Sequence, residues 1–63
     1  ISLSTNAVKI LKLQAEGMAS AAIAQSMKLS EATVKYHCRE TYRKLGVKNK
    51  TAAIAEARKR KLI

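Results

Sequence analysis

Lys35, Tyr36 and Arg39 fall within one five-residue span, and their side chains share a chemistry. Lysine and arginine carry N–H donors on long stems, and the tyrosine adds a hydroxyl on a flat ring. Two more hydroxyls, Ser30 and Thr33, precede them at a spacing that suits the first turn of a helix. Donors of this kind suit phosphate oxygens and the acceptor edges of bases, and the hypothesis is that this stretch enters a DNA groove. Catalysis is poorly supplied. With one histidine (His37), one cysteine (Cys38), four glutamates and no aspartate, no acid–base or metal constellation can be assembled. Neither an enzyme nor a cofactor is expected.

The charge agrees with a polyanionic partner. A net charge of +9 on 63 residues is large for one small domain near the lower limit of independent core stability. It is also uneven: residues 1–29 hold three lysines against one glutamate, and the remainder holds ten basic side chains against three acidic ones. The bland alternative is a solvated charged surface. A lone cysteine cannot close an internal disulfide, which fits a reducing compartment, and Cys38 reads as a small core hydrophobe. No apolar run approaches the about 20 residues that span a bilayer, so no membrane contact is expected. The chain does not start with Met, and a domain excised from a longer protein is the expectation for residues 1–63.

The elements that must position these residues are helices. Two glycines, no proline and frequent alanine, lysine, glutamate and leucine point to an all-α domain. The pattern predicts four helices over about 5–16, 21–27, 31–45 and 50–60. In the first, capped by Ser4 or Thr5, Ala7, Ile10, Leu11 and Ala15 share a face, which Gln14 interrupts. Gly17-Met18 supplies a left-handed stop with an apolar residue behind it. Ser20 is expected to cap the second helix, with Ile23, Ala24 and Met27 inward. Lys28-Leu29 makes the turn and Ser30 caps the third helix, a helix-turn-helix spacing.

On the third helix, Val34, Cys38, Thr41 and Leu45 lie within about 60° at about 100° per residue, which defines a buried stripe. Lys35, Arg39 and Tyr42 lie on one exposed side, with Ala32, Tyr36 and Arg43 beside them. Tyr42 should pack its ring and leave its hydroxyl wet. Gly46-Val47 repeats the earlier stop. Asn49 caps the fourth helix, with Ala53, Ile54 and Ala57 inward and the basic run 58–61 fraying.

These residues carry a resemblance. Ala15-x-Gly17, Ile23-Ala24, Leu29-Ser30-x-x-Thr33-Val34-Lys35-x-His37, Lys44-Leu45-Gly46-Val47, Asn49-Lys50-Thr51 and Ala53-Ile54 together resemble the LuxR-type (GerE-like) helix-turn-helix domain of bacterial transcriptional regulators. The likeness covers nearly the whole chain from Leu3. It implies sequence-specific binding of double-stranded DNA in the bacterial cytoplasm, with the third helix in the major groove. By the same resemblance, Lys35, Tyr36 and Arg39 match positions that touch bases. Ser30, Thr33, His37, Arg43 and Lys50 are taken as backbone contacts.

The fourth helix commonly supports dimerisation in that family, and here Ala52, Ala55, Glu56 and Lys59 form its candidate homodimer face. RNA polymerase is a further expected partner. The chain departs from the family pattern at Asn6-Ala7, where Arg-Glu is usual, at Thr41, where an aliphatic is usual, and at Lys50, where arginine is usual. Glu40 is uncommon and is expected to turn away or pair with Lys44. The same residues admit two rival readings. One is region four of an alternative sigma factor, and the other is a bundle whose basic face binds an acidic protein.

Overall fold

Side-chain caps start three of the helices. In the computed structural model, which describes residues 3–63, the elements are α1 (Thr5–Ala15), α2 (Ser20–Met27), α3 (Glu31–Leu45) and α4 (Lys50–Lys59). Ser4 Oγ accepts from the Ala7 N–H at 3.2 Å, Ser30 Oγ from the Thr33 N–H at 3.1 Å, and Asn49 Oδ1 from the Ala52 N–H at 2.8 Å. Each bond satisfies one of the N–H groups that a helix start leaves unpaired. The second helix differs from expectation. Ala19 is its cap, without a side-chain bond, and Ser20 is already helical.

All four helices end by one device. A left-handed residue follows the last turn at Gly17 (φ 92°), Lys28 (φ 58°), Gly46 (φ 71°) and Lys61 (φ 58°). The apolar residue after it then donates its N–H back into the helix. Met18 reaches the Leu13 carbonyl at 3.1 Å, Leu29 that of Ala24 at 2.9 Å, Val47 that of Tyr42 at 3.0 Å and Leu62 that of Ala57 at 2.8 Å. This is the Schellman closure, in which the returning apolar side chain also seals the helix end. At Gly17 and Gly46 the backbone conformation is free of the Cβ clash, whereas Lys28 and Lys61 hold it against that clash. The basic run therefore does not simply fray as expected: α4 ends at Lys59 and the chain closes back through Leu62.

The apolar stripes meet in two clusters on either side of the α1–α3 contact. Ile10, Ile23, Ala24 and Val34 form the first, with Leu13, Met18, Met27, Leu29 and Cys38 packed around them. Leu11, Leu45, Ala53 and Ala57 form the second, with Leu3, Tyr42, Val47, Leu62 and Ile63 at its edge. Val34, Ile23, Ala53 and Ala57 are fully buried. Helix α3 packs against each of the other three. Its amino-terminal half is held by α1 and α2, and its carboxy-terminal half by α1 and α4.

Two inward assignments change. Gln14, rather than Ala15, completes the buried face of α1 with Ala7, Ile10 and Leu11. Ile54 is only half-buried, because Ala53 and Ala57 present bare methyl groups that bring α4 close to Leu11 and Leu45 and leave Ile54 at the rim. Thr41 is buried at 3 % exposure, as its place in the α3 stripe requires. This framework presents the outer face of α3 to solvent.

Candidate nucleic-acid interface

The candidate interface begins at the α3 cap. Ser30 and Thr33 face each other with their hydroxyl oxygens 2.8 Å apart, beside the exposed N–H groups of the first turn. A helix start concentrates partial positive charge, so hydroxyls placed there suit an incoming anion. Ser30 is exposed and Thr33 half-buried.

Lys35, Tyr36 and Arg39 follow on solvent-facing positions of the same helix. Among the described residues Tyr36 is the exposed large hydrophobic, at 58 %. Its ring meets His37 edge to face with centroids 5.8 Å apart, and His37 is half-buried. Lys35 Nζ lies 3.5 Å from Glu31 Oε1 one turn earlier, an exposed pair that exchanges readily with water or a stronger anion. Among the described residues, Arg39 has no carboxylate within ion-pair distance.

The remaining backbone candidates are less uniform. Arg43 Nη2 is 2.7 Å from Glu40 Oε1. Glu40 therefore pairs three residues on, with Arg43, and not with Lys44 as expected. Both offsets bring side chains together on a helix, and the guanidinium offers the better-shaped donor. The hydrogen bond from Arg43 holds the Glu40 carboxyl below its ordinary range, and the nearby Lys44 and Arg39 charges add to this. Arg43 is thus already engaged. Lys50 is exposed on a different element, in the first turn of α4 beside the Asn49 cap.

On α4, Ala55 and Lys59 are exposed, while Ala52 and Glu56 are half-buried. Glu56 Oε2 accepts from Arg60 Nε at 2.6 Å, so part of the candidate dimer face is tied up within the chain. That bond holds the Glu56 carboxyl below its usual range.

Tyr42 departs from expectation. Its hydroxyl is not simply wet but lies against the side-chain amide of Gln14, 3.3 Å from Nε2 and 3.4 Å from Oε1. Gln14 Nε2 also donates to Cys38 Sγ at 3.2 Å. Burial pushes the Cys38 thiol above its ordinary value, which keeps it protonated and inert, as a core residue should be. The inward placement of Gln14 on the α1 stripe was the sequence signal for this cluster. Among the described residues no group of three histidine, cysteine or acidic side chains could hold a metal ion.

Known proteins share this fold. The family described as bacterial regulatory proteins, luxR family (GerE), matches residues 1–57. The chain is 38 % identical over 61 residues to the HTH-type transcriptional regulator AlkS of Pseudomonas putida, covering 97 % of this chain and 7 % of that protein. It is 38 % identical over 61 residues to the probable transcriptional regulatory protein NarL of Mycobacterium tuberculosis, covering 28 % of it. The crystal structure of the response regulator ChrA, from a heme-sensing two-component system, superposes with a TM-score of 0.96 at 43 % identity. That match covers all of this chain and 31 % of ChrA. The chain therefore spans less than a third of the length of these relatives. With its four capped helices, the turn between α2 and α3 and the match over residues 1–57, the chain belongs to the LuxR family of bacterial regulatory proteins as its helix-turn-helix domain.

Proposed function

We propose that this chain binds double-stranded DNA with sequence preference, as the DNA-binding part of a longer transcriptional regulator, with α3 in the major groove. The observation that carries the reading is the outer face of α3, where Lys35, Tyr36 and Arg39 all stand exposed behind the Ser30–Thr33 hydroxyl pair. A helix with its side chains is about 10–12 Å across and the major groove of B-DNA about 12 Å wide, so one fits the other. Arginine and lysine can donate to guanine O6 and N7, and Tyr36 adds a hydroxyl and an apolar ring face beside them. Ser30, Thr33, His37 and Lys50 then take phosphate oxygens, and Arg43 joins them where it exchanges Glu40 for a phosphate, which seats the helix without selecting sequence.

Two copies meet on DNA through α4, where the small Ala52 and Ala55 side chains permit close approach. Such a face is small, so pairing waits for a second half-site one helical turn away, about 34–36 Å along the duplex. RNA polymerase is a partner of the assembled regulator.

Titration with a random duplex at several salt concentrations tests the binding. Lys50 displaces counterions from the backbone, Arg43 does so in competition with its Glu40 partner, and Lys35 and Arg39 add to them when the helix is seated. Two to four neutralised phosphates give a slope of log affinity on log salt between about −2 and −4. Backbone amide shifts confined to α3 and to the start of α4 would support the assignment. Binding that ignores salt, or shifts concentrated on α2, would overturn it.

A further inference from the structure

The two apolar clusters meet along the α1–α3 contact, and the seam between them is polar. Gln14 follows Ile10 of one cluster by four residues and Leu11 of the other by three, so it lies on the face of α1 that serves both. It is 7 % exposed. Its amide donates to Cys38 Sγ at 3.2 Å and meets the Tyr42 hydroxyl at 3.3 and 3.4 Å. Cys38 packs on the first cluster and Tyr42 on the second. One side chain of α1 thus grips α3 at two points a single turn apart.

We propose that Gln14 is a positioning residue for base recognition, fixing the rotation and the axial register of α3 through Cys38 and Tyr42. Apolar contact is non-directional and tolerates small slides of one helix on another, whereas hydrogen bonds weaken steeply as they lengthen or bend. The grip lies at the edge of the reading side. Tyr42 shares a helical row with Lys35 and Arg39, and Arg39 directly follows Cys38. With side-chain tips about 6 Å from the helix axis, a 10° rotation of α3 moves them about 1 Å. That shift is enough to spoil a hydrogen bond to a base edge. It matters little to a lysine near a phosphate, where attraction is long-ranged. The device therefore acts on discrimination and leaves general DNA affinity alone.

This inference rests on the proposed role of α3 as the base-reading helix. The test compares affinities for a duplex selected by the chain and for a scrambled duplex of equal length, in the wild type, Gln14→Met and Tyr42→Phe. Methionine fills similar space without the hydrogen bonds. In Gln14→Met the ratio of the two affinities should fall roughly 2- to 12-fold, the range that one net hydrogen bond is worth. Affinity for the scrambled duplex should hold, and the melting temperature should be unchanged or raised. Tyr42→Phe should lower the ratio in the same direction and decides the matter if Gln14→Met does not fold. An unchanged ratio in a folded variant overturns the proposal, as does a parallel fall in both affinities and in melting temperature. A wild type with no preference for any duplex would refute base reading by α3 and this role with it. A preference that survives in both variants would refute the tether alone.

Discussion

Glu40→Gln is the most revealing single substitution at the proposed interface. Glu40 holds the Arg43 guanidinium at 2.7 Å and places a negative charge on the basic helix. Its carboxyl is held below the ordinary range, so it stays charged at neutral pH. The substitution removes that charge and frees Arg43 for a phosphate. Exposed pairs of this kind contribute little to folding, so the melting temperature should barely move.

The effect on binding can be sized. One added phosphate contact steepens the slope of log affinity on log salt by about 0.9, so a fourfold dilution of salt favours the variant by roughly 3.5-fold more than the wild type. Extrapolated from a 1 M reference to 0.1 M salt, the same contact is worth up to about 8-fold in affinity. Fluorescence anisotropy with a random duplex across salt concentrations measures both quantities. An unchanged slope with unchanged affinity would show that Arg43 does not reach the backbone, and would remove it from the phosphate set.

Four other outcomes follow from the same account. Arg39→Ala should weaken binding by about 1–3 kcal/mol and relax preference at one base pair, read by competition among single-base variants of a selected site. Lys50→Ala should weaken all duplexes alike and flatten the salt slope by about 0.9, whereas a loss confined to one sequence would contradict its phosphate role. Val34→Ala empties space at the centre of the first cluster, where the valine has no exposed surface. It should cost about 2–3 kcal/mol in urea unfolding, a large share of the stability of so small a domain, and a loss under about 1 kcal/mol would mean that the cluster collapses around it. Lys28→Gly relieves a left-handed lysine at φ 58° and should raise stability in urea unfolding by about 0.5–1 kcal/mol, net of the freedom that glycine gains in the unfolded chain, whereas an unchanged or lowered midpoint would mean that the lysine is unstrained there.

How much was legible in the sequence varied with the range of the interaction concerned. Helix α3 could be bounded to the residue because Ser30 caps locally and Gly46 with Val47 stops locally. The start of α2 was misplaced by one residue because Ala19 caps without a side-chain bond, and neighbouring Ser20 was the more plausible cap by type. Lys28 and Lys61 occupy conformations that glycine prefers, so only the apolar residue after each could have signalled the closure. Glu40 had basic residues at both three and four positions onward, and composition alone does not choose between them.

Gln14 shows the larger gap. Periodicity turned it inward, but its partners lie 24 and 28 residues away, and only the crossing of α1 with α3 brings them together. The exposed set on α3 was legible for the opposite reason. Lys35, Tyr36 and Arg39 need only the helix and its buried stripe to be placed.

If the outer face of α3 reads base sequence, selection of bound sites from a pool of random duplexes should converge on a short common sequence, with two copies spaced by about one helical turn where dimers form. Arg39→Ala should select the same sequence with one position relaxed. A pool that binds with strong salt dependence yet never converges would contradict base reading by α3. That result would leave a basic helical domain that holds DNA without reading it.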